Sequence, residues 1–135
     1  MNDSIKTNSY KQEGRSMKKN SMVYVASPLR GDIEGNLEKA KDYCRFVSFL
    51  GYIPICPHLF FTTFLNDEIE EERNRGICFG LNLLKKCEEI WVFGEQISEG
   101  MKEEIKLAEI LDLPIQYFPE INREFVESIY ELISR

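Results

Sequence analysis

The sequence predicts an α/β protein: a four- to five-stranded parallel sheet with helices on both faces. Three observations carry that prediction. Apolar runs rich in β-branched and aromatic residues stand at Met22–Ala26, Tyr52–Cys56, Glu89–Phe93 and Leu113–Phe118. Each is followed by a segment whose apolar residues recur at the three- and four-residue spacing of a helix. No hairpin signal joins any two of the strands, so the order βαβαβαβα demands crossovers and therefore parallel strands.

In order, Met22-Val23-Tyr24-Val25-Ala26 reads as a first buried strand, and Ser27-Pro28-Leu29-Arg30-Gly31-Asp32 breaks it with turn chemistry. The first helix runs from about Asn36 to Leu50, with Leu37, Ala40, Cys44 and Val47 on one face and Gly51 as its stop. Tyr52 to Cys56 is the second strand; Pro54 and Pro57 place it at an edge, because proline cannot donate to a ladder. The stretch Pro57–Asn66 is too aromatic for an ordinary loop. Phe60, Phe61 and Phe64 either pack under the next helix or offer stacking surface to a flat aromatic ligand. Asp67 to Glu72 reads as the solvated, acidic start of a helical region reaching about Lys86, with Gly76 or Gly80 as a point where it can bend. Strand three is Glu89–Phe93. A Gly94-containing loop leads to a helix from about Glu99 to Leu111, with Ser98 as its N-cap. Leu113–Phe118 is the fourth strand and Arg123–Ser134 a closing amphipathic helix.

At 135 residues, 43% apolar and 30% charged, the chain suits one soluble domain over residues 21–135. No stretch approaches the ~20 apolar residues of a membrane span. Residues 1–20 hold five Lys/Arg and two Asp/Glu and read as a disordered polar leader without the apolar core of a secretory signal. The remainder is strongly acidic, which disfavours a nucleic-acid-backbone binder. Cys44, Cys56, Cys78 and Cys87 have no metal spacing; they read as reduced thiols of a cytoplasmic protein, and no metal is expected. Neither GxGxxG nor a P-loop is present, and no cofactor is called for.

Parallel connectivity brings Ser27–Asp32, His58 and Ser98–Glu104 to one edge of the sheet, where open α/β sheets bind ligands. Ser98 Oγ and the free N–H groups of the following helix can hold an anion, with Arg30 as counter-charge; equally, Ser98 is only a cap and Arg30 a solvated loop residue. Glu104 shares a helix face with the small residues Gly100 and Ala108. It is either a surface glutamate beside the apolar stripe or a carboxylate with room for something to approach. Tyr24 is a core aromatic, or a phenol that hydrogen-bonds that carboxylate. His58, the single histidine, is structural, or a proton donor or ligand contact.

Val23-Tyr24-Val25-Ala26-Ser27-Pro28-Leu29-Arg30-Gly31, and above all Ser98-x-Gly100-x-x-x-Glu104-x-x-x-Ala108, resemble the nucleoside 2-deoxyribosyltransferase superfamily, and within it the 2′-deoxynucleoside 5′-phosphate N-hydrolase branch. The resemblance covers about residues 22–118. It implies a Rossmann-like, flavodoxin-type sheet, assembly into homodimers or larger homo-oligomers, and a nucleoside or nucleotide as small-molecule partner. It also implies a glutamate that attacks C1′ of a deoxyribose and displaces the base, as a retaining glycosidase does. Carried over, Glu104 is the nucleophile and Tyr24 orients it. Ser98 and the Gly100 N–H bind 5′-phosphate, with Ser27 and Arg30 assisting.

One departure stands out. The family's aspartate that helps protonate the leaving base falls at Gly80, and no Asp or Glu occurs between Arg73 and Lys86. Asn82 can hydrogen-bond a base without protonating it well, and His58 can take the acid's place. Loss of a general acid costs ~10²–10⁴ in rate. The expected function is therefore N-glycosidic cleavage or transfer on a deoxynucleoside or its 5′-monophosphate. A non-catalytic nucleotide-binding or sensing module, or a small structural protein, competes with it.

Overall fold

The computed structural model describes residues 17–135, and statements about the structure concern those residues. The elements run β1 (Met22–Ala26), α1 (Ile33–Phe49), β2 (Ile53–Ile55), α2 (Pro57–Phe61), α3 (Glu70–Leu84), β3 (Glu89–Phe93), α4 (Glu99–Ile110), β4 (Ile115–Phe118) and α5 (Arg123–Ile133). The four strands form one parallel sheet in the order β2-β1-β3-β4. The expected α/β architecture is present, with four strands.

β1 and β3 sit in the middle because both are apolar on alternate sides and can be covered twice. Their register, Tyr24 opposite Ile90 and Ala26 opposite Val92, sends each matched pair to the same face. Val23, Val25, Trp91 and Phe93 pack against Ala40, Tyr43 and Val47 of α1 and Val126 of α5. Tyr43 stacks on Phe93 at 4.4 Å between ring centroids. On the other face Tyr24, Ala26, Ile90 and Val92 pack against Leu84 of α3 and Met101 and Ala108 of α4. β2 pairs only with β1, the edge position that Pro54 requires. Gly51 closes the turn after α1 at φ 98°, a conformation that favours glycine.

Three local expectations change. α1 starts at Ile33 rather than Asn36, because Asp32 acts as N-cap, its carboxylate accepting from Gly35 N at 3.1 Å. The helical region after the aromatic loop starts at Glu70 and runs uninterrupted to Leu84, through both Gly76 and Gly80. Within Pro57–Asn66 a short helix, α2, opens on Pro57, whose fixed φ suits a first helical turn. Of the aromatics in Pro57–Asn66, Phe60 and Phe64 are 61% and 57% exposed, and only Phe61 reaches inward, with its ring 5.4 Å from that of Phe79 on α3.

The polar leader expected over residues 1–20 falls mostly on residues 1–16, which lie outside the described residues. Met17 packs on the core beside α1, and Asn20 N donates to Gly51 O at 2.8 Å. No helix among the described residues is long and apolar enough to cross a membrane.

Candidate active site

The C-terminal edge of the sheet carries two cavities, one on each face. The cavity on the α3/α4 face has a volume of about 490 Å³ and takes in Tyr24, His58, Arg30, Ser98, Gly100 and Glu104. That volume is in the range of small-molecule sites. Six of the eight residues singled out in the sequence thus share one concavity; Ser27 and Asn82 are outside it.

Its centre is a contact between residues far apart in sequence. Tyr24 Oη donates to Glu104 Oε2 at 2.6 Å. Strand alternation turns Tyr24 toward α4, and Glu104, four residues after Gly100, lies on the helix side facing β1. Glu104 keeps some exposed surface as a residue, but its Oε1 is fully buried and has no hydrogen-bond partner. Burial drives its pKa up, the Tyr24 hydrogen bond pulls it down, and Glu103 adds a smaller upward push; the result is about 7. Tyr24 is shifted well above its ordinary value, first by burial and then by the Glu104 charge, so it remains a donor at neutral pH.

At the start of α4, Ser98 Oγ accepts from Met101 N at 3.2 Å, the expected cap. A side-chain atom on Gly100 would meet nothing within 4 Å, so the helix entrance is open toward the cavity. Gly80 faces the same centre from α3. A Cβ there would lie 3.2 Å from Tyr24 Oη and 3.5 Å from Pro57, so the missing side chain lets α3 close on the tyrosine. The position where the resemblance places an acid is thus turned toward the site but filled by its neighbours.

His58 borders the cavity with its ring turned to the backbone. Its Nε2 lies 2.9 Å from the carbonyl oxygen of Ser27, which can only accept, so Nε2 carries the proton. Burial lowers its pKa, against smaller upward effects of that hydrogen bond and of Asp67. The neutral ring has its one N–H committed to the backbone and offers the cavity an acceptor at most.

Two expected contacts lie elsewhere. Asn82 is exposed, and its Nδ2 donates to Cys78 O at 2.9 Å. Two residues past Gly80 is about 200° around the helix, so Asn82 points away from the cavity. Ser27, one residue beyond β1, has the parity of Val23 and Val25. It lines a separate cavity of about 570 Å³ on the α1/α5 face, with Asn36, Lys39 and Tyr43. Arg30 borders both cavities and is engaged with Asp67, Nε to Oδ2 at 3.3 Å.

Asp67 was not legible as a site residue. Read as the solvated opening of a helix, it instead precedes α3 in a turn that folds it inward, its side chain 14% exposed. Glu72 and Glu103 also border the cavity, giving five carboxylates with Glu99 and Glu104 against Arg30 and Arg73. The available signal was Asn66, a turn-forming residue that accepts from Glu68 N at 2.9 Å. Among the described residues no group of three or more His, Cys, Asp or Glu is arranged to hold a metal ion.

Residues 21–118, the sheet and the whole of this site, match a family described as a domain of unknown function, DUF7768. The chain belongs to this family. Among curated proteins none matches it. A solved structure, the 2-deoxyribosyltransferase from the psychrotolerant bacterium Bacillus psychrosaccharolyticus, aligns with this DUF7768 chain at a TM-score of 0.57 and 19% identity. The alignment covers 80% of this chain and 81% of that one. That protein is described as a biocatalyst for nucleoside synthesis. At such identity the likeness is one of fold: the DUF7768 chain has the Rossmann-like sheet of a deoxyribosyltransferase.

Proposed function

We propose that this protein cleaves or transfers at the N-glycosidic bond of a deoxynucleoside, with Glu104 as nucleophile. The observation that carries the reading is the Tyr24–Glu104 pair at the cavity that Glu104 lines: one carboxylate oxygen is held by the phenol at 2.6 Å while the other is buried without a hydrogen-bond partner. In the proposed reaction Oε1 forms a bond to C1′ as the C1′–N bond breaks, and the electron pair leaves with the base, which takes up a proton from water. Water or a second base then attacks C1′ and releases the carboxylate, so configuration is retained. A pKa of about 7 leaves a large ionised fraction at neutral pH, with the charge poorly solvated and correspondingly reactive.

Between nucleoside and 5′-monophosphate, the lining favours the uncharged substrate. Five carboxylates border the cavity, and Arg30 is already engaged with Asp67. A monophosphate would rely on the α4 N-terminus and Ser98 against that field. The proposal extends to a homo-oligomer of the kind the resemblance implies, which light scattering on the purified chain tests.

The test is incubation of the protein with deoxynucleosides and their monophosphates, with and without an acceptor base, with released or exchanged base measured by chromatography. Base release that survives Glu104→Gln sinks the nucleophile assignment. A second reading, a nucleotide-binding module without turnover, draws on the missing side chain at Gly80 and the committed proton of His58. Ligand-induced thermal stabilisation with no base release favours it.

A further inference from the structure

Among the described residues three buried side-chain oxygens lack a hydrogen-bond partner: Ser27 Oγ, Asp67 Oδ2 and Glu104 Oε1. All three lie at the C-terminal edge of the sheet, and Asp67 and Glu104 line the same cavity. The proposed chemistry uses Glu104 and leaves Asp67 unexplained. Buried polar atoms are nearly always paired, so an unpaired acceptor in a ligand-sized cavity points to a donor brought by the ligand.

Asp67 is held in place from several sides. Glu72 accepts from Asn66 N at 2.6 Å, Ile69 N donates to Asn66 O at 3.1 Å, and Asn66 Oδ1 accepts from Glu68 N. Arg30 Nε lies 3.3 Å from Oδ2 without the alignment of a hydrogen bond, so it supplies charge while the buried oxygen still lacks a hydrogen-bond donor. Two residues before Asp67, Leu65 borders the cavity with Phe61 and Ile77, and the methyl end of Leu65 rests against the backbone at Gly76. An apolar wall with one acceptor at its margin suits a flat ring that has a donor on its edge. An ionised carboxylate accepts hydrogen bonds and donates none.

We propose that Asp67 reads the base: it accepts a hydrogen bond from the exocyclic amino group of a nucleobase seated against Phe61, Leu65 and Ile77, and so selects amino-bearing nucleosides. This rests on the reading of the cavity as a nucleoside site and names the determinant of its specificity. A base without the amino group leaves Asp67 Oδ2 with the Arg30 charge but no hydrogen-bond donor in a buried setting, which is how sites reject analogues that lack a donor.

Calorimetric binding tests it, with 2′-deoxyadenosine and the purine 2′-deoxyriboside that has hydrogen in place of the amino group. The unmodified chain is expected to bind deoxyadenosine on the order of 10- to 100-fold tighter, and Asp67→Ala, which has no acceptor, to bring the two within about threefold. Equal binding by the unmodified chain overturns the proposal without any variant. A preference that persists in a folded Asp67→Ala chain assigns the reading to another group and also overturns it. Binding of neither nucleoside overturns the nucleoside site and Asp67 together. Selective binding without turnover refutes the glycosidic chemistry and leaves the role of Asp67 supported.

Discussion

Glu104 is held in a buried state that costs stability at neutral pH. In the folded chain it keeps its proton up to about pH 7, whereas the unfolded chain releases it near 4.5. Between those values the folded state binds more protons, so this residue's contribution to stability falls as pH rises, and the penalty is complete above 7. Glu104→Gln removes the penalty while Tyr24 can still donate to the amide oxygen. The variant is expected to be more stable by about 1–3 kcal/mol at pH 8, with no gain at pH 4, measured by urea unfolding. Its base release should drop by ~10³ or more. Tyr24→Phe takes away the one influence that lowers the Glu104 pKa. The acid limb of the pH–rate profile is then expected to move upward from about 7, with activity at pH 6 falling more than activity at pH 9. An unmoved limb means that Glu104 is not the group titrating.

At the scale of elements, the strand–loop–helix corner from β3 to α4 was plain in the sequence, because its signals are local. An apolar run, a glycine, a serine and a helical stripe follow one another within about twenty residues, and Ser98 caps as its type and place require. Ser98→Ala is expected to cost about 1 kcal/mol of stability, seen as a lower urea midpoint. If the cap also receives a phosphate, the same variant loses monophosphate binding selectively. The segment from Pro57 to Ile69 was far less legible. Its aromatics have no period, so nothing local says that Phe61 turns inward while Phe60 and Phe64 face solvent. Asp67 likewise has the neighbours of a solvated helix start; a turn at Asn66 and the approach of Arg30 bring it into the cavity.

For the whole molecule, the acidic excess of the chain extends to the cavity, whose lining holds more carboxylates than arginines. With five carboxylates around one cavity, a monophosphate meets repulsion that a nucleoside does not. Raising ionic strength from ~0.01 M to about 0.15 M shortens the Debye length from roughly 30 to 8 Å. The KM for a deoxynucleoside monophosphate is therefore expected to fall over that range while the KM for the nucleoside stays constant. Equal salt dependence for the two substrates contradicts an acidic field at the site.

By itself the sequence determined the four strands, the helices other than α2, the parallel pairing, the edge place of β2 and the corner that holds Ser98, Gly100 and Glu104, since periodicity and capping are written in neighbouring residues. Tertiary structure decided which polar residues meet. Tyr24 and Glu104 are 80 positions apart, and only the β1–β3 register and the packing of α4 bring them to 2.6 Å. The same packing sends Ser27 to the opposite face, spends the His58 proton on a backbone carbonyl, turns Asn82 to solvent and draws Asp67 inward. Burial and partner are properties of three-dimensional neighbours, and they set what each of these side chains can do.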